Sequence, residues 1–305
     1  MTTPVSTTTS SPPAPDRGAA GPTPRMSWGA PAAFLAFIAT FGAAIFTSIP
    51  TLAIGDDTNT AKATGSVIGS ILQNAAFVGV PLLIVGMLVG GLRRRDVGLL
   101  MPPRAWRIPL FVVAALVLYL LISAGLGALL NADGQEDSLP EDLGAKGSLV
   151  AGIAVGLAVT VCAPIGEEFL MRGILYPGLR DSIARFAPAW VAVALGALID
   201  GILFGALHIG GSKAIFLPIL ATFGIILCLL YQVTGSLYAN ILLHCTNNTI
   251  AIAVALDWSV LGGLALWAGA VSILGLIALI AKRVEDRLPP PRARPGLGLG
   301  VPPPA

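Results

Sequence analysis

The sequence is short of charge. Asp, Glu, Lys and Arg make up 11% of its 305 residues, against about a quarter in an ordinary soluble chain. That scarcity excludes a water-soluble globular domain of the usual kind. Histidine is scarcer still, with only His208 and His244 in the whole chain. Cysteine occurs three times, at Cys162, Cys228 and Cys245, each inside an apolar run. An odd number of thiols, none in an exposed loop, argues against a disulfide framework. Cys162 and Cys228 read as small apolar packing groups, while Cys245, next to His244, is left open. No short apolar core follows a basic start, so no signal peptide is expected. No internal repeat is visible.

What the chain has in abundance is apolar surface. It is 55% hydrophobic, with a mean hydropathy of +0.84. Eight apolar runs, roughly 29–54, 66–92, 108–130, 148–171, 188–209, 214–233, 236–256 and 260–281, approach the ~20 residues that cross a bilayer. The expected fold class is therefore an all-α membrane protein of about eight transmembrane helices. Residues 1–27, rich in Thr, Ser and Pro, read as a disordered arm, and the Pro- and Gly-rich tail from Pro289 reads the same way.

Charge placement supports the count. Arg93, Arg94, Arg95, Arg104 and Arg107 follow the second run, Arg180 and Arg185 the fourth, and Lys282, Arg283 and Arg287 the eighth. Asp56 and Asp57 follow the first run with Lys62, and Asp133, Glu136, Asp137, Glu141 and Asp142 follow the third with Lys146. Basic residues thus gather on one side, which the positive-inside rule makes cytoplasmic. With an even number of spans, both termini are expected in the cytoplasm. The stretch 96–107, mixed apolar and basic with a tryptophan, reads equally as an interfacial segment or as an ordinary connecting loop.

Against this apolar background one stretch stands out, Gly166-Glu-Glu-Phe-Leu-Met-Arg-Gly173. Charges at membrane depth cost on the order of 2.5–3.5 kcal/mol each on insertion scales, so they face protein or water and mark function. Glu167 and Glu168 are neighbours and point about 100° apart on a helix, so they cannot share one task. Glu168 precedes Arg172 by four residues, the favourable order for a helical ion pair. Glu168 is therefore assigned to Arg172, and Glu167 is left as the candidate base for water.

Asp200, Phe204 and His208 share one face of the fifth run. Asp200 is placed to orient a polar network with His208 or Arg172, or to sit in a wet crevice. Asn240, His244 and Asn248 share one face of the seventh. His with Asn supplies donors for a developing oxyanion, whereas His with carboxylate suits a divalent metal. Glu167, Glu168, Arg172, His208, His244 and Asn248 are thus the candidate catalytic set, with Phe204 and Asp200 in support.

Taken together, the motifs resemble those of the CAAX protease and bacteriocin-processing family of intramembrane endopeptidases, which includes the prenyl-protein endoproteases. Glu-Glu-x-x-x-Arg corresponds to Glu167, Glu168 and Arg172, Phe-x-x-x-His to Phe204 and His208, and His-x-x-x-Asn to His244 and Asn248. The resemblance covers roughly residues 148–256. It implies an eight-helix bundle around a polar intramembrane chamber open to the cytoplasm. Residues 28–147 would supply the first three helices, 148–256 the catalytic core, 257–283 the last helix, and 284–305 a cytoplasmic tail.

By the same resemblance, Glu167 with His208 would activate water for attack on a peptide carbonyl, and His244 with Asn248 would hold the oxyanion. The family carries the label metalloprotease, so Glu167, His208 and His244 are candidate ligands of a divalent metal such as zinc; a metal-free glutamate route is the other possibility. The expected partners are the lipid bilayer and a protein or peptide substrate, with no nucleic acid. The Ala-, Gly- and Pro-heavy composition suggests a bacterial plasma membrane as the location. The chain's last residues, Pro-Pro-Pro-Ala, carry no prenylation cysteine. A transporter, or a non-enzymatic scaffold or immunity factor using the same buried polar residues, is the competing expectation.

One spatial difficulty follows from these spans. A simple hairpin puts Glu167 near the cytoplasmic end of the fourth and His208 near the far end of the fifth. A long or broken helix over 148–179, with Glu167 near mid-bilayer, removes the conflict.

Overall fold

Each long helix grows from one of these apolar runs. The computed structural model describes residues 28–47, 49, 54, 58–102, 104–132, 135 and 139–287. The arm 1–27, the tail beyond 287, and Asp56, Asp57, Asp133, Glu136 and Asp137 of the acidic loops lie outside the described residues. Among the described residues there are eight long helices and no strand: α1 (Ala30–Thr47), α2 (Asn59–Val89), α3 (Ile108–Leu129), α4 (Leu149–Ile183), α5 (Ala189–Ala206), α6 (Leu217–Thr234), α7 (Leu237–Ala255) and α8 (Val260–Glu285).

Seven of them, all but α7, are long and apolar enough to cross a membrane. The exception carries Asn240, His244, Asn247 and Asn248 within 19 residues. Most of the first half of α7 is buried, so its polar groups find partners inside the protein and apolarity alone does not select it. Capping fits the sequence. Thr58, Ser148 and Ser259 each accept a first-turn backbone N–H through the side chain. Gly90 and Gly235 end α2 and α6 in the left-handed conformation.

The central element is α4, 35 residues long. It is continuous but contains two π-helical stretches, Ala158–Cys162 and Phe169–Leu175. Each lies just upstream of a proline, Pro164 and Pro177. A proline inside a helix removes one N–H and clashes with the carbonyl four residues back, and a widened turn relieves both. Carbonyls in these stretches then take side-chain donors, Val159 from Asn248 at 3.0 Å and Ile174 from the Trp28 indole at 3.1 Å. Every residue from Phe169 to Leu175 is buried, so this widened turn is the centre of the bundle.

The spatial difficulty disappears with this helix. Glu167 lies 18 residues after Leu149 (167 − 149) and 16 before Ile183 (183 − 167), close to the middle of α4. At 1.5 Å per residue it is ~24 Å from the α4–α5 turn. His208, 19 residues after Ala189 (208 − 189), is ~28 Å beyond the same turn. The two are therefore nearly level in an antiparallel hairpin. Arg172 and Asp200 are each 11 residues from it (183 − 172 and 200 − 189), which brings them face to face.

α5 and α6 pack at backbone distance through Gly201, Gly205 and Gly224. A Cβ on Gly201 would lie 2.7 Å from the Ala221 carbonyl oxygen, and one on Gly205 2.7 Å from that of Leu217. Small residues four apart allow this approach in membrane helices. Gly201→Ala is expected to destabilise the bundle by about 1–3 kcal/mol, because backbone rather than a flexible side chain must yield. Thermal unfolding of the purified protein in detergent reads the loss, and a wild-type midpoint would contradict this account.

The ends of the bundle differ in charge. Arg94 reaches Glu285 and Tyr238, and Arg180 reaches Gln232, at one end. Lys146 pairs with Glu141 at 3.7 Å near the start of α4, at the other. The large apolar side chains left exposed, such as Phe46, Met87, Leu121, Val254 and Leu261, are those of helices surrounded by lipid.

Candidate active site

Four helices bring their polar residues to the widened turn of α4. Glu168 is the hub. Its Oε1 accepts from Arg172 Nη1 at 3.0 Å and lies 2.8 Å from His244 Nδ1. Its Oε2 accepts from Asn240 Nδ2 at 3.3 Å. Asn240 also donates to the Leu227 carbonyl at 2.8 Å, which fixes its amide. With Glu168 ionised, His244 meets it as a donor through Nδ1, leaving Nε2 for the chemistry.

Arg172 is held on every side. Its Nη2 donates to the Gly224 carbonyl at 2.9 Å, its Nε lies 3.4 Å from Asp200 Oδ1, and the Phe204 ring covers it at 4.6 Å. Cys228 donates to the same Asp200 oxygen at 3.1 Å. Glu168, Arg172 and Asp200 have no exposed surface. Of the roles open to Asp200, the structure places it on Arg172, not on His208. The three cysteines are free thiols.

Glu167 occupies a different position. Its Oε2 is 3.8 Å from His244 Nε2, and that oxygen accepts no hydrogen bond. Its side chain keeps 15% exposure, whereas Glu168 keeps none. The two neighbouring glutamates thus approach one imidazole from its two nitrogens, as the divergence of adjacent helical positions allows.

The remaining expected residues are placed less simply. His208 sits in the turn after α5, with Nδ1 2.9 Å from the Phe204 carbonyl oxygen. Its ring meets Phe204 at a 50° tilt, 5.1 Å between centroids, and Phe204 in turn meets His244 edge-on at 5.7 Å. Phe204 therefore separates the two histidines while touching both. Asn248 donates its amide to Val159, so one of its two N–H groups is committed to the widened turn of α4.

The ligand set expected for a metal is not gathered. Among the described residues no group of three or more His, Cys, Asp or Glu side chains is placed to hold an ion. Glu167, His208 and His244 as arranged do not fit one.

The candidate set drawn from the sequence omits four contributors, of which only Asn240 is placed on the right face. Asn240 was detectable one turn before His244 on the same face. Gly224 and Phe223 gave no local signal, yet Gly224 offers its carbonyl to Arg172 and Phe223 meets His244 edge-on at 5.4 Å. Asn74 of α2 packs on Gly166, beside Glu167, so closely that a Cβ there could not fit.

Fold and site together define an integral membrane protein whose interior holds a linked acid–base cluster. Residues 149–250, the stretch that carries the site, match the family described as Type II CAAX prenyl endopeptidase Rce1-like. That match indicates a protease. Neither the curated proteins nor the solved structures offer a match.

Proposed function

We propose that the protein is an intramembrane endopeptidase in which Glu167 activates the water. The observation that carries this reading is the division between the two glutamates. Glu168 is saturated by Arg172, Asn240 and His244, whereas Glu167 has an unpartnered buried oxygen beside His244 Nε2.

The Glu167 carboxylate takes a proton from water, and the hydroxide oxygen bonds to the peptide carbonyl carbon. The carbonyl electron pair moves onto oxygen. Collapse of the tetrahedral species breaks the C–N bond, and the leaving amine takes the proton back from Glu167. His244, oriented through Nδ1 by Glu168, and the second N–H of Asn248 would donate to the oxyanion. His208, with Nδ1 turned to the Phe204 carbonyl, is assigned no separate step. Arg172 and Asp200 hold Glu168 and do not touch substrate. No step is assigned to a metal. The substrate is a protein or peptide presented at the membrane, and both termini lie on the basic, cytoplasmic side.

The test compares protein termini in membranes from cells expressing wild type or Glu167→Gln at equal abundance. Termini that disappear only with the variant are expected, and they name the substrates. An identical set with a stably folded variant would instead favour transport or a scaffold role.

A further inference from the structure

The stretch from Arg93 to Arg107 links α2 to α3, two helices able to cross a membrane. Connectivity alone therefore keeps it at a membrane surface. It is not a slack loop. Its inner side is bonded to the start of α7: Leu237 donates its backbone N–H to Gly98 at 2.8 Å, and Ser236 Oγ donates to Leu100 at 2.6 Å. Arg94 donates to the Tyr238 hydroxyl at 2.6 Å. Gly98, at φ +78°, lies against Tyr231 where a Cβ would come within 2.5 Å of the hydroxyl. No other residue suits both that conformation and that approach.

The outer side has a different character. Leu100 is 42% exposed, Met101 66% and Trp106 73%. Exposed Arg95, Arg104 and Arg107 belong to the same stretch, the last with its guanidinium 5.0 Å over the Trp106 ring. Asp96, the one acid in the stretch, receives the Arg93 backbone N–H at 2.9 Å and lies 3.9 Å from Arg95. Among the described residues no carboxylate is paired with Arg104 or Arg107. Exposed apolar and aromatic side chains interspersed with exposed arginine match the boundary between acyl chains and headgroups.

We infer that this face is a docking surface for anionic phospholipid headgroups, which thereby hold the start of the site helix α7 in place. The coupling is short. Leu237 supplies one of the first backbone N–H groups of α7, which helical bonding leaves unpaired. Asn240 and His244 follow it by three and seven residues. The inference does not depend on the proteolytic reading.

The experiment places a nitroxide on Met101→Cys in the full-length protein, with half-buried Cys162 replaced by alanine. Vesicles of phosphatidylcholine are compared with vesicles that also contain phosphatidylglycerol. The label is expected to be markedly more accessible to lipid-dissolved oxygen, and less to an aqueous nickel reagent, in the anionic vesicles. Arg104→Gln with Arg107→Gln should abolish that difference, weakening partition of the segment roughly thirty-fold at about fivefold per arginine. Salt near 1 M should do the same, since it shortens the screening length from about 10 Å to about 3 Å. A label buried equally in both lipids would overturn the headgroup assignment. So would a shift that survives the arginine substitutions. A label that is aqueous in both would assign the face to a protein partner instead.

Discussion

Arg172→Met is expected to destabilise the bundle by about 3–5 kcal/mol, the usual result of stripping the partner from a buried charge. Arg172 lies between two carboxylates, Glu168 at 3.0 Å and Asp200 at 3.4 Å, and none of the three has exposed surface. Methionine fills much of the same volume, so the loss is electrostatic and not a cavity. It leaves two carboxylates and the Gly224 carbonyl without their cation. Adding Asp200→Asn to Arg172→Met should recover part of the loss, because one stranded charge is removed. Asp200→Asn alone should lower stability less than Arg172→Met does. Melting of the purified protein in nanodiscs measures all three. A single variant Arg172→Met as stable as wild type would mean that the triad does not hold the helices together.

The two glutamates should separate cleanly when each becomes glutamine. Glu167→Gln is expected to cost about 10²–10⁴ in turnover, the range of a general base, with the melting temperature almost unchanged. Its Oε2 makes no hydrogen bond that glutamine would break. Glu168→Gln should lose turnover and stability together. It weakens charge-assisted bonds to Arg172 and His244, worth roughly 1.5–3 kcal/mol each, and releases the orientation that the Nδ1 contact imposes on the His244 imidazole. Single-turnover cleavage of a substrate identified from the terminus comparison, run beside unfolding curves, separates the two effects. A stable, inactive Glu168→Gln alongside an active Glu167→Gln would exchange their roles.

The site was legible only in part. Glu168 with Arg172 could be read from spacing alone, because i, i+4 geometry is a property of one helix. The faces Asp200–Phe204–His208 and Asn240–His244–Asn248 could be read for the same reason. Which histidine meets which glutamate could not. The expected partner of Glu167 was His208, yet the nearest imidazole in contact with it is that of His244. Pairing between helices depends on rotation and depth, and neither leaves a trace in local periodicity. The engagement of Asn248 with Val159 was equally hidden, since it exists only where the helix widens ahead of Pro164.

The sequence by itself determined that this chain is a helical membrane protein, that its basic loops alternate with acidic ones, and that its scarce polar residues belong together. Long apolar runs have no stable place but a bilayer, and a charge inside them must find a partner. Tertiary structure alone decided how the partners are distributed. The length of α4, set by two widened turns that accommodate prolines, puts Glu167 level with the end of α5. Glycine contacts between α5 and α6 then bring Asp200 and Phe204 onto Arg172. Those contacts depend on how closely two backbones approach, which is a property of the packed pair and of neither helix alone.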